Sequence, residues 1–300
     1  MRTDPSVVAL LPAWNAQPFI QDTLDALSRQ TYPNFKVVVS VDLSTDETAA
    51  ICEAHSRQDP RFRIMRQTSR QGFVGNTARL LREARADYLM WAWHDDLVEP
   101  QYVTRLVSVI ENHPRAVSVF TDLEMRHLDG HVQTLTYEAL EGVTDPVERA
   151  KRVIWFPENW ALPNRGLYRL SGARRVGGFK RHWAGEYVCD WPWAVHMAIL
   201  GEHIRVPEVL CRKFLKVTSL SFSWHRARWK NVAVTTSVAR EIRQSDLPIA
   251  KKARLLLTVA GMLQGFLTMR PTQWEGSTRV QAYHRDARAA ERRMTRGQER

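Results

Sequence analysis

Aspartates stand out among the residues of this 300-residue chain whose types and spacing could do chemistry. They occur in Asp42-Leu43-Ser44-Thr45-Asp46, in His94-Asp95-Asp96, and at Asp190 within Val188-Cys189-Asp190-Trp191-Pro192-Trp193, with Glu186 one helical turn before Asp190. A carboxylate can accept N–H groups, hold a hard cation through its oxygens, or take a proton as a general base. Val188, Trp191 and Trp193 would partly desolvate Asp190 and raise its pKa. Each aspartate also has a plainer reading as a helix cap: Asp95-Asp96 precede Pro100, Asp42 and Asp46 flank Ser44, and Asp190 precedes a helical stretch.

The elements that must position these groups follow from hydrophobic period. Residues 7–11 read as a buried strand that Pro12 ends. Ile20, Leu24 and Leu27 mark one face of a helix with Pro18 near its start. Residues 36–41 form a second strand, and Ser44 with Glu47 makes a capping box for a helix through Ile51 and Ala54. Residues 62–65 predict a third strand, and Val74, Ala78 and Leu81 another helix face. Residues 88–93 run as a strand into His94-Asp95-Asp96. A helix from Pro100 carries Val103, Leu106, Val107 and Ile110, and residues 116–121 give a fifth strand. This alternation predicts an α/β fold with βαβ units and a mostly parallel, Rossmann-like sheet flanked by helices. Ligands of such sheets bind beyond the carboxyl ends of the strands, where residues 12–15, 42–46 and 94–96 all fall.

Composition frames the rest. Hydrophobic residues make up 44% and charged residues 25%, the balance of a folded globular chain. The net charge is +11, but from His225 onward 16 Lys/Arg face 6 Asp/Glu, so almost all the excess is carboxy-terminal. A basic appendage on a neutral catalytic body is therefore expected, and a nucleic-acid partner is not. Cys52, Cys189 and Cys211 are too scattered for a disulfide framework or a zinc site. The amino-terminal apolar run is too short for a leader or a spanning helix, so a cytoplasmic location is expected. Residues 247–269 predict a helix whose apolar face includes Leu255, Leu256, Val259, Met262 and Phe266, with Lys251, Lys252, Arg254 and Arg270 at its ends. That face would either dock on the catalytic domain or a second subunit, or lie at an anionic membrane surface at the inner face of the membrane. Monomer and homodimer both stay open.

The ordered motifs Leu-Leu-Pro-Ala-Trp-Asn at 10–15, residues 27–48, Gly72 through Asn76, Trp-His-Asp-Asp-Leu-Val-Glu-Pro at 93–100, residues 166–179 and 188–193 resemble the inverting family 2 glycosyltransferases of GT-A fold. The likeness covers roughly residues 6–221. It implies a catalytic domain over 1–225, with a nucleotide-binding half (1–122) and an acceptor-binding half (123–225), followed by a helical basic extension (226–300). It implies transfer of a sugar from a nucleotide-sugar donor, UDP- or dTDP-linked by preference, to a glycan, lipid-linked or other hydroxyl acceptor. By the resemblance Asp96 is the ligand of a divalent metal, Mn2+ or Mg2+, which stabilises the departing pyrophosphate as a Lewis acid. Asp95 contacts the ribose or supports the metal. Asp42 binds the base, although Val41 and Leu43 stand where many relatives have Asp and Gly. Pro12, Ala13, Trp14, Asn15, Ser44, Gly72 and Asn76 complete the nucleotide site. Asp190 is the general base for the acceptor hydroxyl, with Glu186 in reserve. Trp160, Trp183 and Trp191 could present aromatic faces to acceptor sugars or simply pack. Arg70, Arg79 and Arg212 are candidates for pyrophosphate contacts that no spacing singles out, and His225 reads as a surface or structural residue.

Two rivals remain at this level. A nucleotidyltransferase of related fold would show a glycine- and lysine-rich phosphate loop, and Leu-Leu-Pro-Ala-Trp-Asn-Ala-Gln-Pro-Phe contains neither residue. A noncatalytic nucleotide- or carbohydrate-binding scaffold would dispense with Asp96 or Asp190, and both are present.

Overall fold

The computed structural model describes residues 4–127, 129–155, 162–215 and 227–268. The strands are β1 (Val7–Ala13), β2 (Phe35–Val41), β3 (Phe62–Arg66), β4 (Tyr88–Trp91), β5 (Asp96–Val98), β6 (Ala116–Arg126), β7 (Val132–Leu135), β8 (Leu167–Arg169) and β9 (Glu202–Phe214). The helices are α1 (Ile20–Ser28), α2 (Thr48–Gln58), α3 (Gly72–Glu83), α4 (Tyr102–Glu111), α5 (Pro146–Trp155), α6 (Leu170–Val176), α7 (Asp190–Leu200), α8 (Arg228–Gln244) and α9 (Ile249–Thr268). One sheet runs β3-β2-β1-β4-β8-β6-β9-β5, with β7 paired to β6.

Alternation along the strands divides the core in two. Val7, Ala9 and Leu11 of β1 join Val37 and Val39 of β2 on the face covered by α1 and α4. Val8 and Leu10 join Val38, Leu89 and Trp91 on the face covered by α3 and α6. Strands buried on both faces read as apolar runs, which is why β1 and β2 were legible. The pairs β3-β2, β2-β1 and β1-β4 are parallel, as is β6-β9. The expected βαβ run through β1 to β4 is parallel, and the short β8 inserts antiparallel between β4 and β6.

Several local expectations are corrected. Pro12 lies within β1, in register with Ser40. β4 has left β1 by that point, its last partner being Leu10, so the missing N–H of Pro12 breaks no ladder. No Ser44–Glu47 capping box forms. Asp46 Oδ1 instead accepts the Thr48 N–H at 3.1 Å, and Ser44 Oγ donates to the Asp42 carbonyl at 2.8 Å. β4 stops at Trp91, and Asp96 opens β5 opposite Lys213 of β9 rather than starting a helix, which begins only at Tyr102.

Beyond residue 226, α8 and α9 pack on α7 and α5. Val234, Val238, Ile242, Leu255, Val259, Met262 and Phe266 belong to the same buried cluster as the sheet. The apolar face of α9 therefore docks on the domain, while Ile249, Leu257 and Leu267 face outward. Among the described residues no helix is long and apolar enough to cross a membrane. The cysteines are free and buried. The arginine-rich stretch 285–300 lies outside the described residues.

Candidate functional site

The ends of β1 and β2 meet in a knitted pair of loops. Asn15 adopts a left-handed backbone, φ 43°, a conformation that asparagine tolerates better than most residues. This turn lets its Oδ1 accept the Thr45 N–H at 2.9 Å while its own N–H donates to Ser44 Oγ at 3.2 Å. Below them Asp42 is fully buried. Its Oδ1 accepts the N–H groups of Gln71 (2.8 Å) and Leu43 (3.1 Å), and its Oδ2 accepts Gly72 N–H (2.9 Å) and Arg70 Nη1. The Arg70 guanidinium also lies 3.8 Å from the ring centroid of Trp14, so Trp14, Arg70 and Asp42 form one stacked column. Asn76 is buried and its Nδ2 donates to the Ser40 carbonyl at 2.9 Å.

Glu186 occupies the start of α3. Its oxygens accept the N–H groups of Phe73 (2.9 Å) and Val74 (3.0 Å), and Arg181 Nε donates to it at 2.9 Å. Gly72 has φ +73°, and an added Cβ would lie 2.8 Å from both Glu186 Oε1 and Arg181 Nη2. Only glycine suits both the backbone and the space.

Past the end of β4 lies a second cluster, centred on the 3-10 turn Pro163–Arg165. Arg165 Nε donates to Asp96 Oδ2, and Asn164 Nδ2 donates to Asp190 Oδ2 at 3.1 Å. Two carboxylates 94 positions apart in sequence are thus gripped by neighbouring residues. The turn is itself pinned by two buried tyrosines, Tyr102 donating to the Arg165 carbonyl and Tyr168 to that of Pro163. Asp96 Oδ1, Asn164 Oδ1 and Asp190 Oδ1 are buried with no hydrogen-bond partner among the described residues. Burial raises the pKa of Asp96 above the usual carboxylate range, against the opposing pull of Arg165 and Lys213. Asp190 heads α7. Burial raises its pKa to about 7, opposed by its own backbone N–H, by Arg165, by the Trp191 N–H and by Lys213. Val188, two residues earlier, sits at φ 49°, which a β-branched residue adopts only under strain.

The aromatic candidates separate. Trp191 is 4% exposed and its indole N–H donates to the Val153 carbonyl at 3.0 Å, so its ring is core and offers no face to a sugar. Trp183 is 61% exposed and stacks on Trp229, itself 51% exposed, at 5.7 Å between centroids. Trp160 and His225 lie outside the described residues. Arg79 forms an i,i+4 pair with Glu83, and Arg212 pairs with Glu99 and Glu124, so neither joins the cluster by these contacts. Sequence reading missed Asn164, Arg165, Lys213 and Trp229. Arg165 carried one faint sign, its place directly before the 166–179 motif.

A family model, Glycosyl transferase family 2, matches residues 8–137. Glycosyltransferase GlyA of Streptococcus pneumoniae is 28% identical over 119 residues, 40% of this chain and 17% of that protein. The chain spans half or less of the length of the curated relatives it matches. Among solved structures, S. aureus TarS 1–349 in complex with UDP-GlcNAc superposes with a TM-score of 0.67 at 17% identity, over 90% of this chain and 77% of that one. The mannosyltransferase PcManGT of Pyrobaculum calidifontis, in complex with GDP-Man and Mn2+, gives 0.54 at 17% identity, over 95% of this chain and 80% of that one. Residues 8–137 of this chain are thus similar to glycosyl transferase family 2, and its architecture is that of the GT-A fold.

Proposed function

We propose that this protein is an inverting glycosyltransferase that moves a sugar from a nucleotide-sugar donor to a hydroxyl acceptor, with Asp190 as general base. The observation that carries the reading is the pairing of Asp96 and Asp190 through one turn: a carboxylate beyond the β4 end is tied to a second carboxylate poised near neutrality. A single displacement needs both, one group near the leaving pyrophosphate and one to take the acceptor proton from the opposite face of the sugar. A base with a pKa near 7 is ionised often enough to work at neutral pH and basic enough to take the proton. Glu186 is worse placed for this role, since both its oxygens are committed to α3 and Arg181.

Asp96 fits a divalent cation in a limited sense. No three His, Cys, Asp or Glu side chains converge among the described residues, so the protein alone does not form a cage. The buried, unpartnered Asp96 Oδ1 can supply one hard oxygen, Asp95 is its neighbour, and pyrophosphate and water would supply the rest. Bound there, the ion would stabilise charge on the leaving diphosphate. The nucleoside falls to the column of Trp14, Arg70 and Asp42 with Pro12, Ala13, Asn15, Ser44, Gly72 and Asn76. Asp42 already takes four donors, so it accepts a pyrimidine imide only by releasing one, and Arg70 is the movable one. TarS with UDP-GlcNAc favours a uracil nucleotide, and PcManGT with GDP-Man keeps guanine in the test. Trp183, on the segment leading to Asp190, is the aromatic surface left for an acceptor sugar. Glycan and lipid-linked acceptors both suit it.

A thermal-shift panel of UDP, dTDP, GDP and CDP, with and without Mn2+, tests the reading. One nucleotide should raise the melting temperature, and more so with metal. A flat panel would overturn the nucleotide-sugar assignment.

A further inference from the structure

We infer that Asn164 is a positioning residue for the proposed base, holding the Asp190 carboxylate in one orientation and tying it to Asp96 through Arg165. The inference rests on the reading of Asp190 as general base.

Asn164 is 4% exposed, and nothing in a 3-10 turn requires a buried amide there. Burying such a group costs free energy unless it is hydrogen-bonded, yet only half of this amide is used, with Nδ2 on Asp190 Oδ2 and Oδ1 without a partner among the described residues. A purely structural turn would be better served by an apolar side chain. What Asn164 accomplishes is selective: an N–H donor on Oδ2 fixes the carboxylate plane and leaves Oδ1, also without a partner, as the oxygen that can receive a proton. A cationic partner would hold Asp190 more tightly but would quench it as a base. Arg165, which could have done so, is directed by its Nε to Asp96 instead. The neutral donor thus goes to the base and the charged donor to the pyrophosphate side.

Three surroundings keep the arrangement rigid. Tyr102 and Tyr168 clamp the carbonyls on either side of Asn164, and the strained Val188 turn delivers Asp190 to the start of α7. Rotation of Asp190 is then the main freedom that remains, and Asn164 removes it. Misplacing a catalytic group by about 1 Å can cost about 100-fold in rate.

The test compares the parent with Asn164→Ala, Asn164→Ser and Asp190→Asn, using the UDP- or GDP-sugar whose nucleotide binds in the thermal-shift panel and following nucleotide release. Both Asn164 variants should lose about 10- to 100-fold in kcat with the donor KM unchanged. Crystal structures of the parent and of whichever Asn164 variant is better folded should show the Asp190 carboxylate rotated in the variant only. An inactive Asp190→Asn beside Asn164 variants of normal kcat would overturn the inference and leave the base assignment standing. An unmoved Asp190 carboxylate in the variant crystal would also overturn it, whatever the kinetics. An active Asp190→Asn would remove the base assignment and this inference together. Rising donor KM with unchanged kcat would reassign Asn164 to donor binding.

Discussion

Replacing Asp190 with Asn should make the protein more stable and less active, and both effects should grow as pH rises. Burial moves the proton-binding midpoint of Asp190 from an ordinary 3.8 to about 7. Between those values the folded chain keeps a proton that the unfolded chain releases. The parent's stability therefore falls as pH rises from about 4 to about 7, and the loss persists above that. At about 1.36 kcal/mol per pH unit the cost reaches at most about 4 kcal/mol, less whatever solvent reaches this partly accessible residue. Asn is a neutral stand-in for the protonated form and escapes the cost. At about 2 °C per kcal/mol for a chain of this size, the variant's melting temperature should exceed the parent's by up to about 8 °C at pH 8 and by little at pH 4. Turnover runs the other way. In the parent it needs ionised Asp190, so the rate should climb about tenfold per pH unit up to about pH 7, and the variant should lose about 10²- to 10⁴-fold. Scanning calorimetry from pH 4 to 8 and nucleotide release decide the matter. Melting temperatures that stay parallel across that range would refute the raised pKa, and an active variant would refute the role.

Three further outcomes follow from the same geometry. Asp96→Asn should abolish the manganese-dependent part of nucleotide stabilisation in a thermal-shift assay while the circular dichroism spectrum stays that of the parent. Glu186→Ala should lower stability by about 1–3 kcal/mol in urea unfolding, because two N–H groups of α3 and the Arg181 guanidinium lose their partner; its kcat should fall far less than that of Asp190→Asn. Trp183→Ala should raise the KM for a glycan acceptor without changing the donor KM, measured by initial rates at saturating donor.

The first half of the fold was legible because its strands are buried on both faces and its helices on one, patterns that the order of apolar residues betrays. α1 and α4 follow Ile20, Leu24, Leu27 and Val103, Leu106, Val107, Ile110 as their spacing requires. α8 was not resolved, since its buried side includes Thr235, Ser237 and Glu241 among Val234, Val238 and Ile242, and a polar residue in the stripe erases the period. Glu241 is tolerable there because Lys180 and His196 meet it inside the core, a partnership visible only in three dimensions. β8 escaped notice for a different reason: three residues are too few to show any alternation.

The aspartates show where reading a site from sequence stops. Motif and spacing could nominate Asp42, Asp96 and Asp190, but not divide their labour, because a carboxylate's chemistry is set by what donates to it. Asp42 receives four donors, Asp96 receives a guanidinium on one oxygen, and Asp190 receives one side-chain donor, a neutral amide, and sits near neutrality. The donors come from Gly72, Arg165 and Asn164 among others, residues 26 to 69 positions away that no local pattern links to their acceptors. A graded set of partners around three like side chains is what a displacement reaction needs: one carboxylate fixed for recognition, one close to positive charge at the leaving group, and one left basic enough to take a proton.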